Sequence, residues 1–444
     1  MHGWQGRGMT ELTTTVRATI VQTPEPGRFE RLERHAIVVG DDGTIRSVTP
    51  AGTDVVPDIA LDGDLVLLPG MVDTHLHAPQ WPQLGVGLDL PLERWLFEYT
   101  FPLEARFAAT SFAETVWEQM VPALLSQGTT TAVYYGSIHE DATTALAAAC
   151  VRHGQRAFVG RVAMDHPDGT PAWYRDDDAT SAVAASARSI DAVRRADGGR
   201  GLVEPIITPR FVPACTDALL TGLGELAAAT GVRVQTHCSE SDWEHAHVLD
   251  RCGVTDAHAL DRFGLIRDHS VLAHATHLTD ADRALLASTG AGVSHCPLSN
   301  AYFSNRPFSA RAALDAGVRV GLGTDVAGGP SPSLLSQCSH AVVASQQLAD
   351  GGDVGARIDV ATAFWMATLG GADLVGANVG LIAPGRSFDA IAVRVPDIAR
   401  LADSDRDDVY EERIIRLTGP RDIETVWVAG ADVTPASLAT SPRH

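Results

Sequence analysis

The stretch Leu68-Pro-Gly-Met-Val-Asp-Thr-His-Leu-His-Ala-Pro-Gln80 is an apolar run that ends in two histidines separated by one residue. In a strand, positions i and i+2 point to the same face, so His75 and His77 can grip one metal ion together. Two imidazoles make only half a site. The chain offers further ligands in His237 of Thr236-His-Cys-Ser-Glu240, His274 of Leu272-Ala-His-Ala275 and Asp325 of Gly321-Leu-Gly-Thr-Asp325. Each follows a short run rich in Val, Leu, Ile, Thr or Gly. Metal ligands at the ends of successive strands, with water completing the coordination, are the arrangement of a hydrolytic metalloenzyme.

Working outward, apolar segments at 65–77, 130–137, 157–165, 202–210, 232–240, 271–275, 292–296 and 318–325 read as strands. Stretches rich in Ala and Leu at 112–127, 180–195, 217–230 and 280–288 read as intervening helices, several opened by Ser, Thr or Asp caps. This alternation predicts an α/β fold, a (β/α)8 TIM barrel over residues 67–380, with catalytic groups at the C-terminal ends of its strands. Short β-like runs at 17–21, 35–39 and 44–48, and again at 388–395 and 423–428, are broken by Gly and Asp turns. They predict a small β-sandwich built from both termini, residues 1–66 and 381–444.

Composition narrows the function. With 444 residues, 45% of them hydrophobic, the chain can bury a large core. No apolar run reaches the roughly 20 residues that span a bilayer, and residues 1–10 lack the charge and apolar core of a signal peptide. A cytoplasmic protein is expected. The six cysteines form no Cys-x-x-Cys pair, which argues against a zinc ribbon or redox motif and for reduced, mostly buried thiols. A formal charge of −21 argues against nucleic acid or an anionic membrane as partner, leaving a neutral small molecule. There is no lysine anywhere in the chain. A carboxylated lysine bridging two metals is therefore impossible, and a mononuclear site is favoured.

Each candidate has a plainer reading. His245 and His247 repeat the His-x-His spacing, but in Ser241-Asp-Trp-Glu-His-Ala-His-Val-Leu249, which reads as a helix, where i and i+2 do not share a face. They are assigned to a helix surface. His237 would otherwise be a buried core histidine and Asp325 a helix N-cap. His274 is either a ligand or a hydrogen-bond partner of the activated water. Glu240, three residues after His237, is placed to move a proton between water and a substrate ring nitrogen, the alternative being a cap for the next helix. Thr208-Pro-Arg-Phe211 aims Arg210 at the same strand ends. Its fixed donors suit a carbonyl on a flat heterocycle and Phe211 suits stacking on the ring, although a rim salt bridge is equally consistent with Arg210. Gln80 offers a donor and an acceptor to a purine edge.

Taken together, these motifs resemble the guanine deaminase family of the amidohydrolase superfamily. The resemblance rests on residues 69–80, on Leu88-Asp-Leu-Pro-Leu-Glu-Arg-Trp-Leu-Phe-Glu-Tyr-Thr-Phe-Pro102, on residues 207–211, on His295-Cys-Pro-Leu-Ser-Asn300 and on Gly321-Leu-Gly-Thr-Asp-Val-Ala-Gly-Gly329. The segment 88–102 separates this family from other ring deaminases better than the widely shared ligands do. The resemblance implies His75, His77, His237 and Asp325 as metal ligands, and His274 and Asp325 as activators of the water. It implies Glu240 as proton shuttle, and Gln80, Arg210, Phe211, His237 and His274 as substrate contacts. The implied reaction is guanine plus water to xanthine plus ammonia, with attack at C2, protonation of N3 by Glu240 and O6 held by Arg210. One Zn2+ per chain is the implied cofactor, with Fe2+ accepting similar ligands, and a homodimer the implied assembly. Rival readings are a deaminase of a modified purine, pterin or s-triazine, a catalytically silent scaffold, and a cyclic-amide hydrolase, which generally needs the missing lysine.

Overall fold

The computed structural model describes residues 13–52, 56–304, 306–400 and 408–439, so residues 1–10, read above for a signal peptide, lie outside the described residues. Two arcs of parallel strands form the centre. Met71–His77, Thr129–Tyr135, Arg156–Gly160 and Val203–Pro205 pair in one four-stranded sheet, and Gln235–Cys238, Val271–His274, Gly292–His295 and Arg319–Leu322 in another. Val162–Ala163 and Thr208–Pro209 pair as short parallel continuations. Met71–His77 and Thr129–Tyr135 are buried at every position, as expected for parallel strands covered on both faces. Their polar residues, among them Asp73, Thr74, Thr129, Thr130 and Thr131, are buried with the apolar ones.

The arcs meet at both seams. A parallel bridge links Ile207 to Val234. On the other side Asp325 N–H donates to the His75 carbonyl and His77 N–H to the Val326 carbonyl, each at 2.9 Å. Helices Thr110–Ser126, Glu140–His153, Ala179–Asp197 and Asp217–Thr230 follow the four strands of the first arc in turn, and Asp280–Thr289 follows Val271–His274. Side chains of Asp178, Thr216 and Thr279 accept from backbone N–H groups in the first turns of the last three. The helix expected around His245 and His247 is Asp242–Cys252.

Strands from both ends of the chain, within residues 13–69 and 390–432, share one hydrogen-bonded sheet of eight strands. Its far edge returns towards the strand Ala390–Arg394 through a bridge between Thr44 and Ser387. Alternation along Ala390–Arg394 shows how it is used. Ala390 and Ala392 join a cluster with Val16, Ile37 and Trp427, while Ile391 and Val393 pack into the main core.

One expectation is corrected. Residues 65–77 form two strands, not one: Leu65–Pro69 pairs antiparallel with Ala390–Arg394, and Met71–His77 begins the parallel arc. Gly70 makes the break. A Cβ there would lie 2.2 Å from Thr130 Oγ1 and 2.5 Å from its Cγ2, and Thr130 is fully buried. Apolarity on both sides hides the junction in the sequence. Gly70→Ala should therefore lower the stability of the fold by about 1–3 kcal/mol through overpacking, read as a lower urea midpoint, and an unchanged midpoint would refute this account of the junction.

Candidate active site

Strand period carries His75 and His77 to one face of Met71–His77, and the neighbouring strand ends supply the rest. The ligand atoms of His75, His77 and His237 all lie within 4.8 Å of one another. His77 Nε2 faces His237 Nε2 at 3.0 Å. Asp325 Oδ1 is 3.1 Å from His75 Nε2 and 3.7 Å from His77 Nε2, and Asp325 Oδ2 is 3.9 Å from His274 Nε2. Glu240 Oε1 lies 3.7 Å from His274 Nε2. All six side chains are buried. His274 and Asp325 reach this point from backbones with φ of +69° and +47°. Such left-handed geometry costs a non-glycine residue on the order of 1–3 kcal/mol and gathers where side chains must be aimed.

Neighbouring acceptors set the tautomers. His237 Nδ1 lies 2.5 Å from the Arg210 carbonyl and His274 Nδ1 2.9 Å from Asn300 Oδ1. Each Nδ1 thus carries the hydrogen, leaving each Nε2 a lone pair turned towards Asp325 and its neighbours. Burial, aided by charge on neighbouring histidines, holds His75, His77 and His237 well below histidine's usual pKa, so they are neutral. Nδ1 and Nε2 of His75, Nδ1 of His77 and Nε2 of His274 are buried without hydrogen-bond partners. Neutral imidazoles with unsatisfied lone pairs beside a carboxylate are a donor set that fits a divalent cation. A second grouping joins His75, His274 and Cys296. Burial pushes the Cys296 thiol far up, and the Asp325 charge pushes it further, so it is the poorer ligand.

The alternative readings of two carboxylates fail. The cap of Asp242–Cys252 is Ser241, whose side chain accepts from Glu244 N–H, so Glu240 is not a helix cap. No described helix begins at Asp325; the next starts at Leu334, capped by Ser333. Burial and then the Asp325 charge raise Glu240 well above the ordinary carboxylate range, against the pull of Arg210. The shift favours the protonated carboxyl, the form that has a proton to give.

Above the cluster lies a cavity lined by His77, Gln80, Arg210, His237, Glu240 and Asp325 and walled by Leu92, Trp95, Leu96, Phe211 and Phe303. The apolar walls come from the 88–102 segment, folded into the short helical turns Leu92–Trp95 and Leu96–Thr100, and from Asn300–Ser304. Phe211 sits edge-on, 6.2 Å from the His237 ring. Arg210 lines the cavity and is paired through Nη1 and Nη2 with Glu104, at 2.7 and 3.2 Å, in a buried ion pair and not a rim one. Sequence reasoning missed three contributors. Glu104 lies just beyond the quoted 88–102 segment. Tyr135, at the end of its strand, packs within 5 Å of the rings of His75, His77 and His237. Asp73, two residues before His75, accepts from Thr324 N–H at 3.0 Å and Thr324 Oγ1 at 2.6 Å. Burial pushes Asp73 up to about 7.

Comparison with known proteins follows the same lines. Residues 66–433 match the amidohydrolase family. A probable guanine deaminase of Schizosaccharomyces pombe is 38% identical over 387 residues, 85% of this chain and 73% of the relative. A guanine deaminase from C. acetobutylicum, solved with guanine in its active site, superposes with a TM-score of 0.87 at 30% identity, covering 95% of this chain and all of that one. An adenosine deaminase of Xanthomonas campestris with bound zinc reaches 0.82 at 26% identity, covering 96% and 95%.

Asp73 ties the first strand to the residue before Asp325. Asp73→Ala should leave Asp325 poorly held and weaken divalent metal binding about 10–100-fold, measured by zinc competition with a chelator. Unchanged affinity would show that Asp325 holds its place without this tether.

Proposed function

This chain belongs to the amidohydrolase family, and we propose that it hydrolyses guanine to xanthine and ammonia. One observation carries the reading: a single small cavity joins a cluster of cation-ligating side chains and a buried carboxyl on one side to the donors of Arg210 and Gln80 on the other. The full-length likeness to a guanine-bound deaminase supports it.

Within that reading, His75, His77, His237 and Asp325 hold one zinc ion. The unsatisfied ring nitrogens and the all-nitrogen-and-oxygen donor set fit it, and iron would accept the same ligands. Bound there, zinc would lower the pKa of a water in the site far enough to make it a nucleophile near neutral pH. Arg210 and Gln80 hold the purine edge bearing O6, which turns C2 and its amine towards His274, Asp325 and Glu240. Phe211 and the other apolar walls flank the ring and exclude bulk water. His274 Nε2 and Asp325 orient the attacking water. Glu240 takes one proton from that water and delivers it to N3 as C2 becomes tetrahedral, then takes the remaining proton from the C2 hydroxyl and passes it to the amine as the C–N bond breaks and the C2 carbonyl forms. His237 borders the substrate as well as the ion.

We read the two strand arcs as halves of one closed (β/α)8 barrel, supported by the hydrogen bonds at both seams. The terminal sheet is its β-sandwich companion, with the first junction drawn at Gly70 so that Leu65–Pro69 stays whole. We place the protein in the cytoplasm, where its six free thiols stay reduced, as a homodimer. Among the described residues no helix is long and apolar enough to cross a membrane.

The deciding experiment is ammonia release from guanine, with a pterin, an s-triazine and a modified guanine as competitors; preference for any of these over guanine would overturn the substrate assignment. Elemental analysis of zinc-supplemented protein should give close to one ion per chain, and two tightly held ions would contradict the single site. Glu240→Gln should keep the metal and lose roughly 10²-fold or more of turnover; near-normal turnover would remove Glu240 from the proton path.

A further inference from the structure

Glu104 is fully buried on the helix Phe101–Ala105 and does not line the cavity, yet both polar residues on the purine-edge wall converge on it. Its Oε1 accepts from Gln80 Nε2 at 3.0 Å and Arg210 Nη2 at 3.2 Å. Its Oε2 accepts from Arg210 Nη1 at 2.7 Å and the Tyr174 hydroxyl at 3.0 Å. Four donors use the roughly four acceptor sites of a carboxylate. Nothing is left over for a ligand, so Glu104 acts only through the groups it holds.

What it holds is a direction. Gln80 Oε1 accepts from Ala327 N–H at 3.2 Å on the other side. Turning the amide over would set oxygen against the Glu104 carboxylate and NH2 against a backbone N–H, losing both bonds at a buried site. The second hydrogen of Gln80 Nε2 is therefore held as a donor. Arg210 gives Glu104 one hydrogen from each Nη and keeps the others, all of them donors. We propose that Glu104 is a specificity-positioning residue: it locks Gln80 and Arg210 into an edge that presents N–H donors, which accepts a carbonyl at purine C6 and rejects an amine there. The inference rests on the guanine reading for its substrate, and on the four hydrogen bonds for its mechanism.

2,6-Diaminopurine is the discriminating probe, because it carries the same amine at C2 as guanine but an amine in place of O6. Zinc-loaded wild type should prefer guanine in kcat/KM by about 100-fold or more, as expected when buried donors meet a group that cannot accept. Glu104→Gln lets the Gln80 amide turn and should cut that preference by about tenfold or more, chiefly through KM for guanine, with zinc content unchanged. Glu104→Asp keeps a counter-charge for Arg210 but withdraws the carboxylate by one methylene; it should cut the preference less, and it decides the matter if Glu104→Gln does not fold. A purely structural role would slow both substrates alike, and an unchanged ratio in the folded variants overturns the proposal.

Calorimetric binding of hypoxanthine and adenine, neither of which has an amine at C2, separates this inference from the reaction itself. If wild type releases no ammonia from guanine, the functional reading fails, and the binding ratio still tests Glu104. A preference for hypoxanthine that collapses in the variants supports the proposal. A preference that persists, or wild type that binds neither ligand, overturns it.

Discussion

Neutral imidazoles with unfilled lone pairs, packed around a carboxylate in a water-poor interior, are tolerable only if a cation satisfies them. Left empty, each orphaned nitrogen forgoes hydrogen bonds it would have made in water, and Asp325 is a buried charge without a full partner. The rest of the molecule is arranged to hold this constellation in place. Parallel strands bring His75, His77, His237 and His274 to neighbouring ends, and Asp325 follows the last described strand of the second arc. Behind them Asp73, Asn300 and the Arg210 carbonyl fix rotamers and tautomers. A divalent ion changes the electrostatic logic here, because it favours the charged form of Asp325, which burial disfavours.

The opposite wall solves a similar problem without a metal. Arg210 is buried and would be costly alone; burial pulls its pKa down, and the charge and hydrogen bonds of Glu104 more than restore it. Breaking a buried pair of this kind costs more than the pair contributes, so its value lies in fixing geometry rather than in stability. The cavity is thus bounded by two preorganised polar groups, the histidine and aspartate cluster on one side and the Glu104-held Arg210 and Gln80 on the other.

The cluster was legible in the sequence because its pattern is local: His-x-His on a strand needs only period two, and His237, His274 and Asp325 each end a short apolar run. The helical decoy at His245 was separable by the same periodicity, and His245 indeed pairs with Asp256 away from the cluster. Glu104 was not legible. Its partners lie 24, 70 and 106 residues away in the chain, and nothing in Pro-Leu-Glu-Ala distinguishes a buried glutamate from a helix-surface one. The break at Gly70 was hidden for a different reason, since strands entering two different sheets were both apolar and only the approach of Thr130 marks the change. The terminal strands were foreseen from their turns, but their registry in one curled sheet depends on pairings across more than 300 residues.

We propose that four nitrogen and oxygen ligands from His75, His77, His237 and Asp325, with no thiolate, hold one ion. X-ray absorption at the zinc edge of the loaded protein tests it directly. The account predicts a first shell of nitrogen and oxygen alone at about 2.0–2.2 Å, with the imidazole scattering pattern of several histidines. A sulfur scatterer at about 2.3 Å would place the ion on Cys296 with His75 and His274 instead, and would contradict the site described here.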